Sequence, residues 1–212
     1  MRASMTLALA LATLQIASAA AQDTADPDDA ANESQSTAAP KASESTPSAL
    51  ARPLSLGLLL GYGADLGNSY NFWGLGLGLR GGYNLRKIYL GGRFVYQFGE
   101  SREDRSLGRV IRDYSWHHWD LGFELGYDLA VADRLIVRPE LGLGFVNFTS
   151  YFRNTTSDVS DSTLAVYFAL GATLTYDLTP DFFLGVDSRL QIVVGDAATE
   201  ALTFMLHAGM RF

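Results

Sequence analysis

The chain of 212 residues contains no cysteine, so disulfides do not hold it together and no lipid is attached through a thiol. Its core or its environment must supply the stability. Basic residues are outnumbered, 16 against 23 acids, for a formal net charge of -7. No basic stripe is available to neutralise phosphates, which excludes a nucleic-acid partner. Histidine is scarce: His117, His118 and His207 form no ligand constellation, and no P-loop is present, so the sequence implies neither a metal nor a cofactor. From Pro53 onward there is no continuous apolar run of the about 20 residues that a membrane-spanning helix needs. Yet 48% of the chain is hydrophobic, which leaves open a membrane protein that crosses with strands.

The chain divides by composition. Arg2, an apolar stretch from Met5 to Ala17 and the small-residue context Ala19-Ala20-Ala21 before Gln22 are the three parts of a secretory signal peptide, expected over residues 1–21. Residues 22–52 are rich in Ala, Ser, Thr, Pro and acids, with Leu50 as the one large aliphatic residue. Such a segment cannot bury enough apolar surface to offset its ordering entropy and is expected to be a disordered periplasmic linker. Residues 53–212 make one domain.

Within that domain large apolar residues alternate with small or polar ones, the period of strands rather than of helices. Eight such runs occur, over about 54–63, 72–83, 88–98, 115–129, 135–148, 163–176, 182–194 and 201–212. In the second, Trp73, Leu75, Leu77, Leu79 and Tyr83 share a face opposite Gly74, Gly76, Gly78 and Arg80. In the fifth, Pro139 cannot donate to a ladder, which predicts a bulge or a late strand start. Tight turns around "NLRK", "AVADR" and "LTPD" alternate with other connections that include two long polar loops, about 100–114 and 149–162. Short turns on one side and longer loops on the other are the pattern of an outer-membrane barrel with periplasmic turns.

The choice between a soluble and a membrane barrel rests on which face can be the inside. A soluble barrel would turn the Leu and Phe faces inward and leave a glycine-lined surface in water, weakening the strands for no gain. Facing lipid, the same residues form a belt, and closure satisfies every ladder hydrogen bond where water is absent. Aromatics near strand ends, among them Tyr62, Trp73, Trp119 and Phe145 on the loop side and Tyr83, Tyr127, Tyr176 and Phe212 on the turn side, match two interfacial girdles. The expected fold is all-β, an eight-stranded antiparallel up-and-down transmembrane barrel.

The signal peptide, the eight alternating strands and a final strand "ALTFMLHAGMRF" resemble the small outer-membrane barrels of the OmpA transmembrane-domain and OmpX type. Phe212, preceded at every second position by Met210, Ala208, Leu206 and Phe204, resembles the signal that outer-membrane assembly machinery reads. The resemblance implies a monomer among outer-membrane lipids and lipopolysaccharide, without the peptidoglycan-binding domain of full-length OmpA.

The inward polar set is Arg80, Arg93, Asp120, Glu124, Asp128, Arg138, Glu140, Asp187, Arg189, His207 and Arg211. Charges of both signs persist in a lumen when paired, so the expected lumen is packed by salt bridges and the role structural or surface-binding, through the loops toward an extracellular ligand. A narrow pore for small ions is the alternative. A lipid A-modifying enzyme is the further one, with Asp113, Ser115 and His117 as its weak catalytic candidates at i, i+2 and i+4. Same-face neighbours lie nearly 7 Å apart along a strand, at about 3.3 Å per residue, which disfavours a triad built that way. The glycines at 76, 78 and 81 imitate a dinucleotide fingerprint, but no helix follows them, and their spacing is a by-product of period two.

Overall fold

The computed structural model describes residues 52–67, 71–106, 109–154, 158–196 and 198–212, and the side chains of all of these but 102–106, 109–113 and 154. The segments read as a signal peptide (1–21) and as a linker, save Arg52, lie outside the described residues.

Nine strands follow one another: β1 (Leu54–Asp65), β2 (Gly74–Leu85), β3 (Ile88–Ser106), β4 (Arg109–Tyr127), β5 (Leu129–Ala132), β6 (Leu135–Asn154), β7 (Asp158–Asp177), β8 (Phe182–Val194) and β9 (Thr199–Arg211). Sequence neighbours pair antiparallel, β9 pairs with β1, and β4 pairs with β6, so the sheet closes on itself. The barrel has eight staves, because β5 continues β4 beyond Asp128. Gly126 pairs with Glu140, and Leu129 pairs with Val137 in the same register. Pro139 stands opposite that interruption. It lacks the N–H that the ladder to β4 requires at this level. The expected bulge is absent, since the ladder from β6 to β7 runs through Arg138↔Thr173, Pro139↔Ala172 and Glu140↔Gly171 without a shift; the proline breaks the neighbouring strand's ladder instead.

The register fixes the barrel's shape. From Ser55, successive ladder partners are Gly82, Gly91, Glu124, Gly142, Ala169, Gln191 and Ala201, and the path returns to β1 at Asp65, ten residues farther along. A stagger of this size tilts eight strands toward the steep end of the about 35–45° usual for barrels and leaves a lumen just wide enough for side chains to fill. Alternation then sorts the residues. Leu75, Leu77 and Leu79 are exposed on the outer wall, while Gly76, Gly78 and Arg80 between them are buried. Exposed Leu, Phe and Tyr side chains recur on the outside of the staves, with Phe123 the most exposed of them at 78%. So continuous an apolar surface belongs in hydrocarbon.

Two expectations are corrected by the structure. Trp73 does not face lipid; it is fully buried inside the barrel. Gly74, which follows it and opens β2, has φ of +52°, a left-handed conformation that breaks the alternation there. The two long polar loops are also largely strand. β3 and β4 remain paired from Ser101↔Ser115 to Ser106↔Arg109, and β6 and β7 to Arg153↔Asp158. Since β2 leaves β3 at Leu75↔Phe98 and β8 leaves β7 at Val166↔Val194, the strands β3, β4, β6 and β7 rise beyond the closed wall as a four-stranded sheet. The polar composition that suggested loops does not mark an absence of pairing.

Candidate functional site: the filled lumen

All eleven residues of the inward polar set are buried, none more than 6% exposed. The structure brings seven of them into one ionic layer at mid-barrel. Arg80, from β2, reaches across the lumen with Nε 2.7 Å from Glu124, Nη1 3.3 Å from Asp187, and Nη2 donating to Glu140. Arg189, from β8, lies 2.7 Å from Glu124 and donates through Nη2 to Glu140 and Asp187, both at 2.6 Å. Its Nε donates to the other oxygen of Asp187 at 2.7 Å, a bidentate grip. Glu124 pairs by charge alone, for neither of its oxygens accepts a hydrogen bond. Arg93 and Asp120 complete the layer more loosely, 3.4 Å apart, with Asp187 3.8 Å from Arg93.

The remaining four lie toward the turn end. Asp128 accepts from Arg138 Nε at 2.5 Å and Nη2 at 3.0 Å. Arg211 donates to Asp177, while its guanidinium stacks on Phe183 at 4.8 Å. His207 meets the edge of the same Phe183 ring, 5.4 Å between centroids.

Several members of this lumen were not singled out from the sequence. Thr173 sits at the centre of the ionic layer: its Oγ1 accepts from Arg80 at 2.9 Å and lies 3.1 Å from Glu140 and 3.0 Å from Asp187. Tyr89 accepts from Arg80 Nε at 3.2 Å and carries the Arg138 guanidinium 3.7 Å over its ring. Tyr89 and Thr173 were legible as inward positions of their strands, but their roles were not, because partners on other strands are set by stagger. Asn84 and Asp177 lie one residue past the strands expected over 72–83 and 163–176 and were not read as inward.

Above the ionic layer, toward the raised hairpins, polarity falls. The side-chain amides of Gln97 and Gln191 and the hydroxyl of Thr203 are fully buried without hydrogen-bond partners. Beyond them Trp73, Val146, Ala165, Tyr167, Val193 and Ala201 belong to an apolar cluster, with the Trp73 ring edge-on to His118 at 4.5 Å.

The glycines of the inner face make this filling sterically feasible. A Cβ on Gly82 or on Gly91 would fall within the Tyr89 ring, and one on Gly185 within the His207 imidazole. Each large inward side chain lies across the bare backbone of a neighbouring strand.

Two of the three weak catalytic candidates can be placed. The His117 ring stacks between Tyr96 and Tyr151, at centroid distances of 5.6 and 5.0 Å, and Ser115 sits on the ladder opposite Ser101 and Tyr151. The Asp113 side chain lies outside those described. Among the described residues no group of three or more His, Asp or Glu side chains could hold a metal ion. At the other end of the barrel, Met210 and Phe212 are exposed on the outer wall, and the Phe212 N–H donates to the Leu54 carbonyl at 2.8 Å across the closing seam.

Residues 6–212 match the family model described as the outer membrane protein beta-barrel domain. No curated protein matches the chain by sequence. Among solved structures, Ail, the attachment invasion locus protein of Yersinia pestis, is 16% identical with a TM-score of 0.52, covering 76% of this chain and 97% of its own. A second Ail structure, in complex with the heparin analogue sucrose octasulfate, is 18% identical over the same shares with a TM-score of 0.52. A major outer membrane protein of Thermus thermophilus is 14% identical with a TM-score of 0.56, covering 76% of this chain and 100% of its own. At these identities the likeness is one of fold.

Proposed function

The chain belongs to the outer membrane protein beta-barrel domain family and is an integral outer-membrane barrel, and from that premise we propose that its lumen is closed and its role structural or surface-binding, without catalysis. The observation that carries this reading is the mid-barrel layer in which Arg80 and Arg189 each contact Glu124, Glu140 and Asp187. These five side chains come from β2, β4, β6 and β8 and cross-link the lumen at one level. Freeing one charge from such a layer leaves its partners buried and uncompensated, so an open passage has a high free energy. Recording from planar bilayers tests the closure: the expected trace is flat at neutral pH, and a reproducible single-channel opening overturns it.

The surface role falls to the four-stranded sheet that β3, β4, β6 and β7 raise beyond the wall, since exposed elements on a rigid scaffold are where contacts are made. Ail, which shares the fold, was crystallised with a sulfated sugar. Retention of the full chain on immobilised heparin at low salt, abolished when residues 101–113 are replaced by a short turn, supports a surface-binding role of that kind. Equal retention of both chains assigns the contact elsewhere. Lipid A whose acylation is unchanged on deleting the gene is the expected outcome for a barrel without catalysis.

A further inference from the structure

Between the ionic layer and the turn end, the lumen holds a cavity of about 20 Å³. That is room for one water-sized or halide-sized sphere. The residues that line it include three arginines, Arg80, Arg138 and Arg211, together with His207 and Thr175, and no acid. All five side chains are more than nine-tenths buried.

The one-sided lining follows from where the acids sit. Each arginine spends its ion pairs elsewhere: Arg138 on Asp128, Arg211 on Asp177, and Arg80 on Glu124, Glu140 and Asp187. None of these carboxylates reaches the cavity wall. All three guanidiniums stand over aromatic faces, Arg80 and Arg138 over Tyr89 and Arg211 over Phe183. His207 contributes a buried Nε2 that has no hydrogen-bond partner. The carboxylates that neutralise the arginines are set back from the wall, so every side chain that lines the space is basic or neutral, a lining that suits a small anion.

We propose that this cavity is a binding site for a single monovalent inorganic anion of chloride size, held inside the lumen by Arg80, Arg138 and Arg211. Polyatomic anions such as phosphate exceed the space. The site stands whether or not the lumen conducts, because it lies between the ionic layer and the turn end and not through the layer.

The full chain, folded in detergent micelles and exchanged into chloride-free sulfate buffer, is titrated with sodium chloride while the chlorine-35 line width is followed; crystals soaked in sodium bromide are measured at the bromine edge. The expected results are excess broadening that falls hyperbolically as chloride is added, fitted by one site per chain, and an anomalous peak among Arg80, Arg138 and Arg211. The paired substitution Asp177→Asn with Arg211→Gln removes one cation without stranding a buried charge, and should weaken chloride binding about tenfold, the scale of one lost charge-assisted contact. Excess broadening in the unsubstituted protein that stays constant as chloride is added, or crystals without bromide density in the cavity, overturns the proposal even if the substituted chain fails to fold.

Discussion

Arg80 touches more of the lumen than any other side chain, and its loss should be correspondingly costly. Arg80→Met leaves Glu124, Glu140 and Asp187 to share Arg189 in a buried layer short of one cation, and the expected destabilisation is about 3–5 kcal/mol. Urea unfolding in micelles, followed by tryptophan fluorescence, measures it; a change below about 1 kcal/mol would mean that the layer is hydrated and not close-packed. A glycine tests the packing more finely. Gly82→Ala places a methyl in the space of the Tyr89 ring and should destabilise by about 1–3 kcal/mol. In a Tyr89→Ala background the same substitution should be nearly neutral, and the double-mutant cycle isolates that coupling.

At the scale of elements, the ends of the strands decide more than their middles. The β4–β6 ladder is interrupted where Pro139 stands opposite the gap between Tyr127 and Asp128. Pro139→Ala supplies the missing donor and should stabilise the barrel by about 0.5–1.5 kcal/mol, with a slowly exchanging amide at the new alanine; fast exchange there would show that the gap has another cause. The raised sheet should be separable from the wall. Because β2 leaves β3 at Phe98, replacing residues 101–113 with a short turn is expected to leave the urea midpoint unchanged, and a large drop would mean that the hairpins hold the wall closed. The period-two pattern made the eight staves legible. It did not reveal that β3, β4, β6 and β7 continue, because the polar residues of 100–114 and 149–162 carry no sustained apolar alternation to read.

At the scale of the whole molecule, the barrel is a closed ladder turned inside out, apolar toward lipid and polar toward its own axis. Deleting Phe212 removes the two seam hydrogen bonds it exchanges with Leu54 and one exposed ring. If that ring belongs to the assembly signal, the truncated chain should refold normally in micelles, with the usual heat-dependent gel shift, yet reach the outer membrane in reduced amount. Failure to refold in micelles would assign Phe212 a structural role instead. The sequence by itself determined the fold class, the membrane-facing belt and, within the regular strands, which residues point inward, because period two is a local property that each strand declares alone; it failed at Trp73, where the left-handed Gly74 breaks the alternation. It also placed an arginine beside small residues at Gly76, Gly78 and Arg80. Only the tertiary structure decided who meets whom: Arg80 with Glu140 and Asp187, Tyr89 with Gly82 and Gly91, and three guanidiniums around one cavity. Those meetings depend on the ten-residue stagger accumulated around the closed sheet, a sum over every strand pair that no single segment contains.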